Sequence, residues 1–522
     1  MLKRTRTFLA LFTILGITLL FVDFTGVTYP WLGWLAKIQF FPSLLALNVV
    51  VIIALILLTA IFGRIYCSII CPLGILQDFL AHLRPIMNKK MGHYSYSSEK
   101  KWIRYPILIV FIIALIAGIG SFVALLEPYS SFGRIVMNLF QPAYEFGNNL
   151  LANIAEKHDS YSFYHVDIWM HSLPTFLIAI VTLIILSFMA WIGGRTYCNT
   201  ICPVGTLLSF ISRFSFLKIC FDEKKCRNCS ACSKACKASC IDYKNHIVDY
   251  SRCIDCGNCI DACKFGALQY EHISKSPCGG DSSSSFANLA DASTINKTGE
   301  NSALSNKGEG GEETSISRRT FLVGTALATT TALAQQKTKM DGGLAVIEDK
   351  VAPERKTSLT PPGSFSARHF QQHCTDCQLC VTKCPNQVLR PSIGLLTFMQ
   401  PTMSYERGFC RPECNRCSEV CPTGAIRPIT TEEKTSIQIG HAVWVKKNCV
   451  VLTDDVSCGN CARHCPTGAI QMLPMNPDDQ NSKKIPTINE NKCIGCGACE
   501  YLCPARPFSA IYVEGHEQHQ EI

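Results

Sequence analysis

Four long apolar runs dominate the N-terminal part of the chain. The first follows a basic start and ends at Val22, and the others cover residues 44–62, 105–126 and 173–192. Each approaches or reaches the roughly 20 residues that an α-helix needs to cross the hydrocarbon core of a membrane. The pattern therefore predicts an α-helical membrane domain with four spans over residues 1–220.

The first apolar run also has the basic start of a secretory signal peptide, which is the competing interpretation. No small-residue cleavage site follows the run, and Asp23-Phe24 is a poor one. We therefore expect the first span to remain part of the protein.

Charged residues between the runs predict how the spans are oriented. The segment between the second and third runs is basic, whereas the loop 127–171 is mildly acidic. Lys and Arg are enriched in cytoplasmic loops, so both ends of this domain are expected on the cytoplasmic side of a bacterial inner membrane. The basic residues are Arg64, Arg84, Lys89, Lys90, Lys100, Lys101 and Arg104.

The apolar pattern gives way to polar sequence in the middle of the chain. Residues 273–316 consist mainly of Ser, Asn, Gly, Asp and Glu, which cannot bury enough apolar surface to offset the entropy of ordering, so we predict a disordered linker. In 317–336, Arg318 and Arg319 precede an uncharged run, as in twin-arginine signals. We expect an internal signal read by the twin-arginine translocase, cleaved or retained as a fifth span, and then a Pro-rich connector over 337–372. A chance Arg pair is the alternative.

Cysteines in short, regular spacings are the strongest chemical signal. Residues 221–272, the first array, hold two copies of C-x2-C-x2-C-x3-C, in which three cysteines bind one [4Fe-4S] cube and the fourth binds the neighbouring cube. Zinc is the alternative, but so short a run crowds the usual tetrahedral zinc geometry. Cys240 competes with Cys236 as a ligand. The predicted sets are Cys226, Cys229, Cys232 with Cys263, and Cys253, Cys256, Cys259 with Cys236.

Residues 373–515, the second array, contain four further motifs of the same kind. The first and fourth are regular, whereas the second and third have longer gaps after their first cysteine. Their sixteen cysteines suit four more cubes, six in the whole chain. We pair the first motif with the second and the third with the fourth; pairing first with fourth and second with third is the alternative. The predicted sets are Cys374, Cys377, Cys380 with Cys421; Cys410, Cys414, Cys417 with Cys384; Cys449, Cys458, Cys461 with Cys503; and Cys493, Cys496, Cys499 with Cys465.

A different cysteine motif follows the second and fourth apolar runs. The sequences GRIYCSIICPLG (63–74) and GRTYCNTICPVG (194–205) are near-copies, which indicates duplication of a two-span hairpin. Residues i and i+4 share one face of a helix, so each motif is expected to present paired thiols. A further metal centre, a dithiol pair and packed structural cysteines all remain open. The cysteines are Cys67, Cys71, Cys198 and Cys202.

Composition narrows the class of protein. The chain has 522 residues, a hydrophobic fraction of 48% and 31 cysteines, which occur in clustered short runs. Such runs favour metal ligation over a disulfide framework. The net charge of +9 resides largely beside the predicted spans, so it does not indicate a nucleic-acid partner.

The predicted membrane domain offers few groups that could bind a cofactor. Its spans contain no interior histidine, and no C-x2-C-H occurs, which excludes covalent c-type haem and argues against a bis-histidine haem. Near the outer face, Glu127, Tyr129, His165 and His171 are candidates for binding a quinol headgroup. Solvated loop residues are the alternative.

Paired GRxYCxxxCPxG motifs followed by a double ferredoxin motif resemble NapH-type membrane ferredoxins, and residues 1–272 are also similar to the membrane part of NosR-type proteins. Residues 317–515 resemble NapG-type periplasmic ferredoxins. The resemblance implies four spans, a cytoplasmic first array, a periplasmic second array and electron transfer linked to the quinol pool. One departure is that Lys follows Cys236 and Cys263, where Pro is usual.

These features predict a membrane-bound electron carrier of anaerobic respiration. It is expected to take electrons from quinol or menaquinol, or from a cytoplasmic donor, and to pass them to a periplasmic reductase of the nitrate-reductase type or to a cytochrome. The alternative is a protein that matures or maintains a periplasmic metalloenzyme, and a cluster-based redox regulator is a third reading. No nucleotide-binding or flavin motif is evident.

Overall fold

The structure is a computed structural model that describes residues 2–23, 25–87, 93–160, 163–272, 350–394, 397–479 and 482–522. The predicted linker 273–316, the predicted signal 317–336 and the start of the connector, up to residue 349, lie outside the described residues.

The N-terminal part of the chain is helical, as its apolar runs predict. A π-helical turn, Val136–Phe140, joins α10 to α11. The helices are α1 (Leu2–Val22), α2 (Tyr29–Leu32), α3 (Trp34–Lys37), α4 (Phe40–Leu45), α5 (Val49–Phe62), α6 (Tyr66–Ile69), α7 (Pro72–Met87), α8 (Lys101–Ile116), α9 (Gly120–Leu126), α10 (Pro128–Ile135), α11 (Gln141–Glu156), α12 (Leu173–Gly193), α13 (Thr196–Thr200) and α14 (Pro203–Ser212).

Four continuous spans are not confirmed. Among the described helices, only Lys3–Val22 within α1 and Leu173–Gly193 are long and apolar enough to cross a membrane by themselves. The run 44–62 is interrupted at Leu47, which has a φ of 51°, before Asn48 caps α5 by accepting a hydrogen bond from Val51 N. The run 105–126 is interrupted at Gly118, whose φ is 74°. Local backbone geometry divides these two apolar runs.

Both ferredoxin arrays consist of short helices and two-stranded antiparallel sheets, in which β1 pairs with β4, β2 with β3, β5 with β6, β7 with β10 and β8 with β9. The first array includes β1 (Leu217–Phe221), α15 (Ala231–Ala235), β2 (Ile241–Asp242), β3 (Ile247–Val248), α16 (Asn258–Ala262) and β4 (Leu268–His272). The second array and its approach include α17 (Ala367–His373), α18 (Leu379–Thr382), β5 (Leu389–Pro391), β6 (Pro401–Met403), α19 (Arg416–Val420), α20 (Thr431–Ser436), β7 (Ile437–Trp444), α21 (Val450–Thr453), α22 (Asn460–Arg463), β8 (Ile470–Pro474), β9 (Lys484–Ile488), α23 (Ala498–Tyr501) and β10 (Ile511–Glu521).

Helix α1 contacts one array at each end. Near its start, Lys3 Nζ lies 3.3 Å from Asp261 Oδ2 of the first array. Just after its end, Lys383 Nζ of the second array lies 3.2 Å from Asp23 Oδ2. A helix of 21 residues is about 30 Å long. The two arrays therefore lie at opposite ends of the helical domain.

One buried apolar cluster runs through the helical domain and into both arrays. It includes Ile17 of α1, Ile254 of the first array and Leu379 of the second. Two smaller clusters lie among the third and fourth motifs of the second array. The helical domain thus shares one core with the first array and with the part of the second array that holds its first two motifs.

Candidate functional site

The four regular cysteine motifs share one backbone conformation. In each motif the second and the fourth residue after the first cysteine have positive φ, a region that Gly, Asn and Asp tolerate best. Alternating such residues with ordinary ones turns successive N–H groups towards one concave side, which is an arrangement seen at anion and iron–sulfur sites. The residues are Asn228 and Ser230, Asp255 and Gly257, Asp376 and Gln378, and Gly495 and Gly497.

The structure brings the cysteines of three predicted sets around three separate cavities. These groupings each combine three cysteines of one motif with one from its neighbour. One cavity is lined by Cys226, Cys229, Cys232 and Cys263, one by Cys253, Cys256, Cys259, Cys236 and Cys240, and one by Cys449, Cys458, Cys461 and Cys503.

In the other three predicted sets of the second array, cysteines of neighbouring motifs also lie near one another. Cys377 and Cys380 lie close enough to Cys421 for their thiolate charges to repel one another. Cys417 is likewise close to Cys410, Cys414 and Cys384, and Cys499 to Cys493, Cys496 and Cys465. The first motif thus faces the second, and the fourth faces Cys465 of the third.

Cys236 and Cys240 both line the first-array cavity that has five cysteines, and their Sγ atoms lie 3.5 Å apart. Cys236 ends α15 with φ −81° and ψ 100°. Cys263 ends α16 with φ −82° and ψ 99°. The fourth cysteines of the two motifs therefore end their helices with the same backbone conformation.

Several fourth-position sulfurs accept a backbone N–H, which stabilises the charge of a thiolate. These hydrogen bonds run from Ala267 N to Cys263 Sγ (3.3 Å), from Val388 N to Cys384 Sγ (3.4 Å), from Ile426 N to Cys421 Sγ (3.4 Å) and from Ala510 N to Cys503 Sγ (3.3 Å).

Within the described ranges, no three His, Cys, Asp or Glu side chains converge closely enough to hold one metal ion. A [4Fe-4S] cube distributes its thiolates over four irons, so its ligands stand farther apart than those of a tetrahedral zinc. Each of the three cavities is lined by four or five cysteines, enough for the four thiolate ligands of a [4Fe-4S] cube.

The two C-x3-C-P motifs do not lie on continuous helices, so the expectation of thiols on one helical face is wrong. Cys67 lies in α6 and Cys198 in α13, but both helices end before the second cysteine. Cys71 N bonds Tyr66 O and Cys202 N bonds Tyr197 O, both at 3.0 Å, which closes a wider turn than an α-helix. Pro72 and Pro203 then start the next helices, at positions where Pro needs no N–H partner.

The wide turns bring the cysteines of both motifs together. Cys71 lies within electrostatic range of Cys67, Cys198 and Cys202. All four are buried, each with 4% of its surface exposed. We call Cys67, Cys71, Cys198 and Cys202 the cysteine tetrad.

The arginine of each motif crosses to the other motif. Arg64 Nη2 donates to Cys198 O (3.1 Å) and lies 4.0 Å from Cys67 Sγ. Arg195 Nη1 donates to Cys67 O (2.8 Å) and lies 3.7 Å from Cys198 Sγ. The duplicated hairpins are therefore joined by a reciprocal pair of buried guanidinium groups.

The last glycine of each motif leaves room for these crossings. A Cβ on Gly74 would lie 2.4 Å from Cys67 O and 2.6 Å from Arg195 Nη1. A Cβ on Gly205 would meet Cys198 O at 2.4 Å and Arg64 Nη2 at 2.8 Å. Only glycine fits at either position.

The first array packs directly on the first residues of both motifs. A Cβ on Gly63, which has a φ of 78°, would lie 2.3 Å from Asp255 Oδ2. Arg195 N donates to Lys237 O at 2.9 Å. Arg64 Nη1 also donates to Ser251 O at 2.9 Å. The segments that carry the tetrad therefore contact the first array beside both of its motifs, at Lys237 after the first motif and at Ser251 and Asp255 around the second.

The second array packs on the opposite end of the helical domain. A Cβ on Gly133 of α10 would lie 2.6 Å from Cys377 O. Ser121 Oγ donates to Phe398 O at 3.0 Å. Trp169 stacks against the guanidinium groups of Arg390 and Arg407, at 4.8 and 4.4 Å from its ring centre.

The residues predicted for quinol binding have separate surroundings. Glu127 is buried, caps α10 and accepts hydrogen bonds from Tyr129 N and Ser130 N. Burial raises the pKa of Glu127, although those hydrogen bonds oppose the shift. His165 Nε2 lies 3.5 Å from Glu156. His171 stacks on Trp169, and burial with the nearby Arg390 and Arg407 lowers its pKa to about 4.

Comparison with protein families locates iron–sulfur signatures in three parts of the chain. A family model described as a 4Fe-4S binding domain matches residues 44–92 and 174–219, which contain the two C-x3-C-P motifs. Another 4Fe-4S binding domain model matches 246–269, and a 4Fe-4S dicluster domain model matches 456–506.

Several curated proteins are similar to part of the chain. The methylamine utilization ferredoxin-type protein MauM of Methylobacillus flagellatus is 33% identical over 170 residues, covering 31% of this chain and 70% of MauM. The ferredoxin-type protein NapF of Escherichia coli is 30% identical over 167 residues, covering 31% of this chain and 91% of NapF. The ferredoxin-type protein NapG of the same organism is 28% identical over 180 residues, covering 31% of this chain and 75% of NapG. The predicted relation to Nap-type ferredoxins is thus confirmed for part of the chain.

Proposed function

This chain belongs to the family of ferredoxin-type 4Fe-4S proteins, and from that membership we propose that it is a membrane-bound electron carrier. Its two arrays would face opposite sides of a bacterial inner membrane, the first in the cytoplasm and the second in the periplasm. The observation that supports this most is the position of α1, whose two ends meet Asp261 of the first array and Lys383 of the second. A helix about 30 Å long matches the hydrocarbon core.

Exposed apolar side chains support the membrane location. Soluble proteins rarely expose large contiguous apolar patches. Here α1, α5, α8 and α12 all expose Leu, Ile, Val or Phe side chains to the outside. We propose that the divided runs, α4 with α5 and α8 with α9, complete a four-span domain despite their interruptions. Examples of the exposed side chains are Phe8, Leu15, Val50, Leu57, Ile109, Ile113, Ile184 and Phe188.

The cysteine sets predicted from the sequence are our proposed ligands of six [4Fe-4S] clusters. Three cavities lined by such sets and the mutual proximity of the remaining sets support this assignment. When bound, each cluster would accept or donate one electron. The protein's own contribution is to space the clusters and to shield them with a shared apolar core.

We propose that the electrons come from the quinol pool and leave to a periplasmic reductase or cytochrome. The carboxyl group of Glu127 lies within electrostatic range of the Cys377 sulfur. A buried carboxyl group beside a cluster ligand is suited to receive a proton when a quinol gives up its electrons. His165 and His171 lie on the loop that carries Trp169 to the second array.

The test adds a reduced menaquinone analogue to membranes that contain the full chain and follows the cluster EPR signals. We expect rapid reduction, and slower reduction in Glu127→Gln, with Glu145→Gln as the matched buried-carboxylate control. Unchanged reduction in Glu127→Gln would remove that residue from the quinol site.

The alternative, a maturation or maintenance role for a periplasmic metalloenzyme, predicts a different outcome of this experiment. Clusters that are intact by EPR but are not reduced by quinol would favour it, because the protein would then take its electrons from a donor other than the quinol pool.

A further inference from the structure

We propose that the cysteine tetrad holds one additional iron–sulfur centre, which relays single electrons between the two arrays. The inference rests on the proposed electron transfer and adds a seventh redox site to it. Each C-x3-C-P segment supplies only two thiols, so a four-ligand centre requires Cys67, Cys71, Cys198 and Cys202 together.

The donor set fits such a centre. Four buried thiols from two duplicated hairpins meet in one place, and thiolates are the usual ligands of iron–sulfur clusters. Cys202 Sγ accepts the backbone N–H of Gly205 at 3.4 Å. The proposed fourth ligands of the arrays accept backbone N–H groups at 3.3 to 3.4 Å. The tetrad therefore repeats a local feature of the array sites.

The charge around the tetrad fits an anionic centre. Arg64 and Arg195 are fully buried. Arg195 pairs with Asp78 at 2.8 Å. Arg64 forms none of the ion pairs found among the described residues; Asp255, which accepts the backbone N–H of Arg64, lies only within electrostatic range of its guanidinium, and Arg64 Nε has no hydrogen-bond partner. A buried guanidinium is costly without a counter-charge, and a cluster with four thiolates carries net negative charge. Loading the tetrad would supply that counter-charge.

On one side, the tetrad connects to the first array. Arg64 contacts Cys67 Sγ and also donates to Ser251 O, two residues before the proposed ligand Cys253. One side chain, Arg64, therefore contacts both the tetrad and the first array.

On the other side, the tetrad approaches the second array through Tyr197 and Glu127. Tyr197 lies within electrostatic range of Cys202 and of Glu127. Its hydroxyl donates to Leu126 O at 3.2 Å. Glu127 is in turn within range of Cys377. The tetrad therefore lies between the two arrays, in the region where the sequence shows no other metal ligand.

The relay step is a pure electron transfer. A reduced cluster of one array loses one electron and is oxidised, and the tetrad centre gains that electron and is reduced. The centre then returns to its oxidised state as an oxidised cluster of the other array gains the electron. No covalent bond is made or broken, and no further reactant is needed.

The test uses the full chain, purified anaerobically, with Cys67→Ser and Cys198→Ser as variants and Ile70→Val, in the same turn, as the matched control. Six cubes account for about 24 irons per chain. We expect the wild type and the control to exceed that number, and each serine variant to lose the excess iron and sulfide. The EPR signals of both arrays should remain, and electron exchange between them should slow at least tenfold.

The inference would be overturned if six cubes fully explained the iron content of the wild type. Zinc at the tetrad, or unchanged iron in a folded serine variant, would overturn it as well. If the serine variants do not fold, Arg64→Gln tests the same point, because it should shift the potential of a seventh signal, one that belongs to none of the six array clusters; the absence of such a shifted seventh signal also overturns the inference. These results leave the proposed function intact as long as quinol still reduces the arrays. Loss of the array clusters themselves would instead contradict the proposed function.

Discussion

Lys383 of the second array forms a buried ion pair with Asp23, directly after α1, with 3.2 Å between Nζ and Oδ2. Lys383 also donates to Asp23 O. Burial by itself raises the pKa of Asp23, but hydrogen bonds from Thr25 and Thr28 and the charge of Lys383 together hold it below its usual range. Burial lowers the pKa of Lys383, and the charge of Asp23 opposes that shift. The pair anchors the second array to the helical domain.

Breaking this pair should loosen the second array. Replacing one partner of a buried ion pair leaves an uncompensated charge, which costs about 3 kcal/mol. We therefore expect Lys383→Met to lower the midpoint of thermal cluster loss, measured by visible absorption at a fixed scan rate. Lys3→Met is the control, because Lys3 and Asp261 are about half exposed and such pairs contribute at most about 1 kcal/mol. Equal effects of the two variants would contradict the buried anchor.

The contact between α10 and the second array should not tolerate a side chain. A Cβ on Gly133 would lie 2.6 Å from Cys377 O and 2.7 Å from the Phe21 ring, so Gly133→Val should destabilise the protein by about 1–3 kcal/mol. Gly147→Ala in α11 is the control, since no atom lies within 4 Å of its added Cβ and Ala favours a helix by about 0.5–1 kcal/mol. The thermal midpoints of both variants check this prediction. An unchanged midpoint in Gly133→Val would contradict the close packing of α10 on the second array.

Cys236 and Cys240 should differ in their effect on the first array. The backbone of Cys236 matches that of Cys263, so we expect Cys236→Ser to change or abolish one cluster signal in EPR. Cys240→Ser should retain that signal, because its Sγ is a neighbour of Cys236 Sγ rather than the proposed ligand. The opposite result would reassign the ligand to Cys240.

The charge of Arg64 should tune the proposed tetrad centre. A nearby positive charge stabilises the reduced, more negative state, so Arg64→Gln should lower the reduction potential of that centre in an EPR-monitored titration. Lys224→Gln changes an exposed residue of the first array and should leave all potentials unchanged, because water and salt screen its charge.

The sequence indicates the ligand chemistry well because cluster motifs are local. Three cysteines within seven residues wrap one corner of a cube, and the positive-φ positions, such as Asp255 and Gly257, follow the same short register. The predicted exchange of Cys236 and Cys263 rests on their equivalent places in the two copies.

Long-range placement was not predictable in this way. Cys67 and Cys198 are 131 residues apart, and only the crossing of Arg64 and Arg195 shows that their motifs meet. The interruption at Leu47 depends on local backbone geometry that an apolar run conceals. The sequence predicts Glu127 near the outer face as a candidate for quinol binding. In the structure, Pro128 starts α10 and Glu127 is the buried N-cap of that helix. These features arise from packing between segments that are distant in sequence.

Iron, acid-labile sulfide and zinc content of the purified full chain tests the central claim most directly. We predict iron and sulfide in nearly equal amounts, at least about 24 of each per chain, with little zinc. Abundant zinc with little sulfide would contradict it, because the cysteines of both arrays would then hold single ions and offer no path for electrons.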